Sequence, residues 1–281
     1  MATFEAAGIT FYGSPQADGF GFYFSDLTDW YGVPGSKSPV NDRPQANGAF
    51  GIADDWRQSA AISFKAFYSG ANRADMLRNQ NVLTGAFGTG HPVTATFTDE
   101  LGPTSRVVSI RNARPADTKG QSVVVFDVDM IAPDPLRYGP VQVASTGLPT
   151  SGGGLAYPVT YPIGYGTPGN PGRITVSNPG TADTYSLLEI TGGMSGGFEL
   201  TEITTGRVNR FVRPVPVGST VVLNLRTGRA SLNGPSDVTQ YWTRQERWSV
   251  PDGGTREIQF NAIGAITDSP TLTAKTSPAF W

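Results

Sequence analysis

The sequence predicts a mainly β protein of two domains: an N-terminal β-sandwich or split barrel with one helix, and a C-terminal jelly-roll β-sandwich. Three observations predict it. Short runs with period-two alternation recur along the 281 residues, bounded by Gly, Pro, Asn and Asp. A single segment carries helix start and stop signals. Between Ser122 and Tyr165 a strand, a proline-rich exit, a glycine spacer and a new strand follow one another, which is the layout of a domain boundary. The expected division is 1–137, a linker over 138–157, and 158–281.

That boundary starts from the near-continuous apolar run Val123-Val124-Val125-Phe126, extended to Ile131. Ala132-Pro133-Asp134-Pro135 stops the strand, because proline offers no ladder donor and constrains the residue before it. Ser151-Gly152-Gly153-Gly154 reads as a flexible spacer, and Tyr157 to Tyr165 as the first strand beyond it.

Within the first half, Phe20, Phe22 and Phe24 fall on one face of an extended segment. Asp26 to Phe50 reads as a long loop rich in Gly, Pro, Ser and Asn and carrying Trp30 and Tyr31. Loops of this length in a compact domain serve function or association more often than not. Ile62, Phe64, Ala66 and Tyr68 alternate with polar or smaller partners as a strand. Ala74 to Leu83 is the helix, with Asn72 as N-cap, Asp75 at its positive end, and Gly85 and Gly88 terminating it. Strands resume over Val93–Thr98, Arg106–Arg111 and Gln121–Ile131.

The second half shows strands and no helix signal: Arg173–Ser177, Ser186–Ile190, Phe198–Ile203, Arg207–Val212, Val221–Leu225, Ala230–Leu232 and Glu257–Ile263. Arg226-Thr227-Gly228-Arg229 is a hairpin signature between two of them. Short strands at this even spacing argue for an antiparallel sandwich of jelly-roll type. No long-period repeat marks a solenoid or propeller.

Composition narrows the function. Hydrophobic content is 38%, and 35 Gly with 22 Pro make a turn-rich chain whose 15 Phe, 10 Tyr and 5 Trp supply core material. The absence of cysteine excludes disulfides, thiolate metal sites and cysteine nucleophiles. Met1-Ala2-Thr3-Phe4-Glu5 lacks the basic-then-apolar design of a signal peptide. No apolar run reaches the roughly 20 residues that span a bilayer. A formal charge of -2 gives no basic footprint for nucleic acid.

Motifs that suggest chemistry lack its context. Gly193-Met194-Ser195-Gly196-Gly197 spells a nucleophile elbow, but a strand follows where the elbow needs a helix, and the sole histidine, His91, lies far upstream. Gly164-Tyr165-Gly166-Thr167-Pro168-Gly169 spells a dinucleotide fingerprint with no helix to receive the pyrophosphate. His91, alone and without cysteines, makes no transition-metal cluster. Asp127/Asp129, Asp54-Asp55, Asp99-Glu100 and Glu199/Glu202 are pairs of the kind glycosidases use, though alternating acids usually mark the solvated face of a strand. Asp127 to Ala132 lacks the further acid and the glycine of a calcium loop. No catalytic, cofactor or metal residue is therefore assigned. Tyr241 and Trp242, amid Arg244, Gln245, Glu246 and Arg247, are candidate glycan- or protein-contact aromatics, and Trp248 is core material.

Taken together, these stretches resemble the distal tail proteins (Dit) of long-tailed phages, especially minor tail proteins of actinobacterial phages. Gly153 to Gly166 resembles the family's GGL-x-x-P-x-x-x-P-x-x-x-G run. Gly172-Arg173-Ile174-Thr175-Val176-Ser177-Asn178-Pro179-Gly180 with Ile190-Thr191-Gly192 is similar to its G-x-I-x-V-x-N-x-G and I-x-G pair. Trp248 through Gly254, followed by Ile258-Gln259-Phe260, resembles its closing tryptophan, turn and strand. Phe126-Asp127-Val128 to Pro135 resembles the strand and exit of its first domain. The loop Asp26–Phe50 has no counterpart in that pattern.

The resemblance implies a structural protein with no reaction and no cofactor. It implies a homo-hexameric ring that joins the tail tube to the tail-tip hub, built from the first domains around the DNA channel. Galectin-like second domains would project outward. The implied partners are the chain itself, the tube protein, the hub or tail-associated protein and receptor-binding proteins, with DNA only in transit. The implied location is the tail tip of the virion, assembled in the host cytoplasm. On this reading Trp30 and Tyr31 are candidate subunit-interface residues. The alternative is a carbohydrate-binding module or host-wall adhesin acting through Tyr241 and Trp242.

Overall fold

The computed structural model of the chain describes residues 2–281 apart from 18, 52–54, 121 and 153–167. The glycine spacer at Gly153-Gly154, the expected strand Tyr157–Tyr165, most of the fingerprint string and Asp54 lie outside the described residues. The described residues divide into two compact units, Met1–Gly139 with Phe280–Trp281, and Pro140–Ala279.

Apolar alternation sets the strands of the first unit. In order they are β1 (Thr3–Ala6), β2 (Ile9–Tyr12), β3 (Gly21–Thr28), β4 (Ala60–Ser69), the helix α1 (Arg73–Phe87), β5 (Val93–Asp99), β6 (Gly102–Lys119), β7 (Val123–Ala132) and β8 (Arg137–Tyr138). β6 is long enough to serve two partners. Its first half pairs with β5, from Gly102 opposite Asp99 to Val108 opposite Val93, and its second half pairs with β7, from Ser109 opposite Ile131 to Lys119 opposite Val123. The sheet order β6-β5-β1-β2-β3-β4-β7 therefore returns to β6, closing seven strands into a barrel. Closure removes the unpaired edges that an open sheet must protect.

The barrel core is aromatic. Phe4 lies edge-on to Phe64 with centroids 4.8 Å apart, and Phe11 meets Phe64 at 5.6 Å. From α1, buried Met76, Leu83 and Phe87 join this core, Phe87 stacking on Phe11 at 6.2 Å. Asn72 caps the helix as its sequence position demands, its side chain accepting the Asp75 amide at 3.0 Å. Gly88 ends the helix, but Gly85 sits inside its last turn and does not break it. A glycine one turn from a cap costs propensity without forcing termination.

In the second unit the strands are β9 (Gln142–Gly147), β10 (Arg173–Ser177), β11 (Leu187–Thr191), β12 (Gly197–Glu202), β13 (Val208–Phe211), β14 (Thr220–Asn224), β15 (Arg229–Leu232), β16 (Ser236–Asp237), β17 (Trp242–Gln245), β18 (Thr255–Ile263) and β19 (Thr271–Thr276). They form two antiparallel sheets, β10-β18-β12-β13-β17 and β16-β15-β14-β11-β19-β9. One apolar cluster is shared by the facing sides, including Ile174, Leu188, Phe198, Leu223, Trp248, Phe260 and Leu272. This is the expected β-sandwich. A final strand, β20 (Ala279–Phe280), lies beside β8.

Several strands were not read from the sequence, among them β1, β2, β17, β9 and β19. β9 occupies part of the segment expected as linker, paired along its length with β19. Its exposed Val143 reflects an edge strand that buries no regular face, so the alternation signal is missing. β19 buries Leu272, Ala274 and Thr276, two of them too small or polar to mark a core strand.

Among the described residues that carried the family resemblance, Asn178 and Gly192 are structural. Asn178, fully buried, donates to the carbonyls of Ala182, Val250 and Pro251 at 2.8–3.2 Å and accepts from the amides of Gly180 and Ala279. A buried amide with its donors and acceptor engaged fixes the local chain path. Glycines just before and at the end of the elbow-like run permit close backbone approach: a methyl on Gly192 would sit 1.8 Å from the Pro216 carbonyl oxygen, and one on Gly197 2.1 Å from that of Phe211.

Gly85→Ala, whose methyl would meet open space on α1, is expected to raise unfolding free energy by about 0.5–1 kcal/mol. Gly192→Ala is expected to lower it by about 1–3 kcal/mol through overpacking. Denaturant titration of both variants checks this, with midpoints moving in opposite directions.

Candidate functional site

Built from the residues upward, the sites with catalytic spelling prove structural. Ser195 is exposed in the loop between β11 and β12, its hydroxyl accepting the Ala265 amide at 2.8 Å, with no base beside it among the described residues. His91 is exposed. Asp127 and Asp129 fall on the outward face of β7, opposite Lys65 and Ser63 of β4, so they form a solvated face and not a cleft pair. Glu202 is buried but caps a turn: it accepts the amides of Thr204 and Thr205 at 2.9 and 2.8 Å and the Thr205 hydroxyl. Burial alone would raise its carboxyl, yet these bonds outweigh it and hold the pKa below the ordinary value. Among the described residues no cluster of His, Cys, Asp or Glu could hold a metal ion, and no helix is long and apolar enough to cross a membrane.

The aromatic candidates separate. Trp242 is 2% exposed, and its indole donates to buried Asn209 at 3.0 Å, so it offers no face to a sugar; this corrects its assignment as a contact residue. A tryptophan with a polar partner inside the core satisfies its N–H there. Tyr241 is half-buried against that core, with the Arg213 guanidinium over its ring at 4.8 Å. Trp30 is likewise core, at 1% exposed, edge-on to Phe4 and donating to Thr104 at 3.1 Å, which corrects its assignment as an interface residue. Tyr31 remains 48% exposed.

The built site is the root of the long loop. β3 continues to Thr28, so the loop runs over 29–59, with isolated bridges Ser36–Arg57 and Asp42–Ala49. At its root Arg106, 2% exposed, donates to the carbonyls of Asp29 and Pro135 and lies 5.4 Å over Trp30. Burial, then the neighbouring charge of Arg137, pulls its pKa down to about 10. The Arg137 guanidinium covers Tyr31 at 4.4 Å and donates to the Trp281 carbonyl oxygen. The Tyr31 hydroxyl donates to Asp99. Burial, then that bond, pushes the Tyr31 pKa up to about 12. Beyond this pinned root the loop exposes Val33, Val40, Phe50 and Trp56, the last at 71%. It can present an apolar surface. Sequence reasoning missed Arg106 and Arg137, although parity was a usable signal: Arg106 shares the inward side of β6 with buried Val108.

No protein-family model matches the chain, and no curated protein matches it. Solved structures do. The chain aligns with the crystal structure of SPP1 Dit, described there as a paradigm of the hub adsorption apparatus of phages infecting Gram-positive hosts, at a TM-score of 0.68 and 13% identity, covering 100% of both chains. This is the Dit fold. The phage p2 baseplate in its activated conformation, with calcium or with strontium, aligns at TM-scores of 0.56 and 0.57, with 11% identity and 98% of each chain covered. The Dit fold thus holds across both units at an identity where side-chain chemistry has been almost wholly replaced.

Tyr31 and Tyr68, the latter also raised to about 12 by burial and its bond to Asp75, are expected to ionise late. A group whose folded pKa is raised stabilises the fold below its unfolded pKa, near 10, and that contribution fades as pH climbs toward 12. Ultraviolet titration of Tyr31→Phe checks this: the variant should lose one late-titrating phenol.

Proposed function

We propose that this chain is a distal tail protein of a long-tailed phage, forming a homo-hexameric ring that joins the tail tube to the tail-tip hub or baseplate. The observation that carries the reading is the full-length alignment with SPP1 Dit, which takes in both units of the chain. First units form the ring around the DNA channel, and second units project outward from it. The partners are further copies of the chain, the tube protein, the hub protein and receptor-binding proteins, and DNA passes without being held. The protein resides at the tail tip of the virion after assembly in the host cytoplasm. It works by shape and catalyses nothing.

The physical features of the first unit support ring formation. The seven barrel strands pair with one another around the closed ring, and the long loop supplies the contact between copies. Its exposed Phe50 and Trp56 are the aromatic anchors expected at an interface centre. A formal charge of -2 brings no excess of phosphate-binding cations to a channel wall. The burial of Trp242 leaves the adhesin reading with Tyr241 alone of its two aromatics.

The full chain is expected to give a six-fold ring by native mass measurement and single-particle imaging. Phe50→Asp with Trp56→Asp should weaken ring assembly at least about tenfold while leaving the melting temperature of the chain unchanged. A strict monomer at high concentration, with no ring in images, overturns the reading.

A further inference from the structure

The second unit carries a cleft that the ring reading does not use. Its volume is 510 Å³, and it is lined by Tyr185, Arg207, Arg226, Gln245, Glu246 and Arg247. Three arginines reach it from three different connections: Arg207 from the turn before β13, Arg226 from the turn between β14 and β15, and Arg247 from the segment after β17.

Their placement is fixed by the backbone. Arg207 Nη1 donates to the Arg247 carbonyl at 3.0 Å, Arg247 Nη1 donates to the Arg226 carbonyl at 2.9 Å, and the Arg226 guanidinium lies over the Tyr185 ring at 6.0 Å. Gly228, at φ +71°, has no side chain; a methyl there would come within 3.2 Å of Arg247 Nη1. The carboxylate that lines the cleft is held by bonds of its own: Glu246 accepts from Arg244 Nη2 at 2.8 Å through one oxygen and from the Val208 amide at 2.8 Å through the other, and its charge also acts on Arg207. Each bond from Arg207 and Arg247 to a carbonyl spends one of five N–H donors.

We infer that this cleft is a binding site for a phosphate-bearing ligand of small-molecule size, a free phosphate ester or one phosphodiester unit of a polyol-phosphate polymer. Pre-set guanidinium forks suit phosphate oxygens, and the volume lies within the roughly 300–1,000 Å³ of small-ligand sites. Nucleic acid fits less well, because a single confined cleft on a chain of charge -2 is neither a basic stripe nor a row of stacking aromatics. An acidic protein segment fits less well, because no apolar anchor pocket accompanies the charges. The site belongs to the second unit alone, so it stands or falls independently of ring formation.

Calorimetric titration of the full chain with inorganic phosphate and with a glycerol phosphate oligomer tests it, with glycerol and a glutamate peptide as controls. Saturable binding of a phosphate probe is expected, tighter for the oligomer if the natural source is a polymer and tighter for inorganic phosphate if it is a free ester. Arg226→Gln and Arg247→Gln should each weaken binding about tenfold at unchanged melting temperature. Arg173→Gln, which removes an arginine paired with Glu257 on β18, should change nothing. Absence of saturation with both phosphate probes, equal affinity in Arg226→Gln, or preference for the glutamate peptide overturns the assignment.

Discussion

Closure of the first sheet through β6 is the constraint on which the rest of the first unit depends. One strand must continue past β5 and take up β7, and the chain meets this with an unusually long run from Gly102 to Lys119. With the ring of strands shut, the barrel's backbone hydrogen bonds are made within it and to β8 beside β6, and other segments leave it as outgrowths. The excursion over 29–59 is the largest such outgrowth, and its apolar exposure is concentrated where the barrel imposes no register.

The second unit solves a different problem, that of letting backbones approach closely around a core of large side chains. Its answer is to omit side chains where backbones meet. Gly180, Gly192 and Gly197 each sit where a methyl would strike a carbonyl oxygen, and Asn178 replaces missing ladder bonds at the same place. This explains how a glycine run can imitate a nucleophile elbow. The spelling is shared, but in this chain it answers to packing, and Ser195 is merely the polar residue of the loop.

Much of the fold was legible because alternation reports a half-buried strand directly. β4, β7, β10 and β14 all bury every second residue, and the cap at Asn72 is local chemistry that needs no tertiary knowledge. β9 and β19 were hidden because an edge strand and a threonine-rich central strand gain their order from neighbours far along the chain. The site was less legible than the fold. Trp30 and Tyr31 are adjacent, yet one faces the core and the other the surface, and composition carries no information about which. The arginine cleft comes from three turns spread over some forty residues, a convergence that spacing alone does not disclose.

Arg106 joins two places that the sequence keeps far apart, the carbonyl of Asp29 where the loop departs and that of Pro135 on the way out of the barrel. Tension applied to the loop is therefore delivered to the side chain that also grips the outgoing strand end. With Trp30 beneath it and carbonyls on either flank, that guanidinium behaves as a rivet, and a tug on one sheet of the joint is borne by the other.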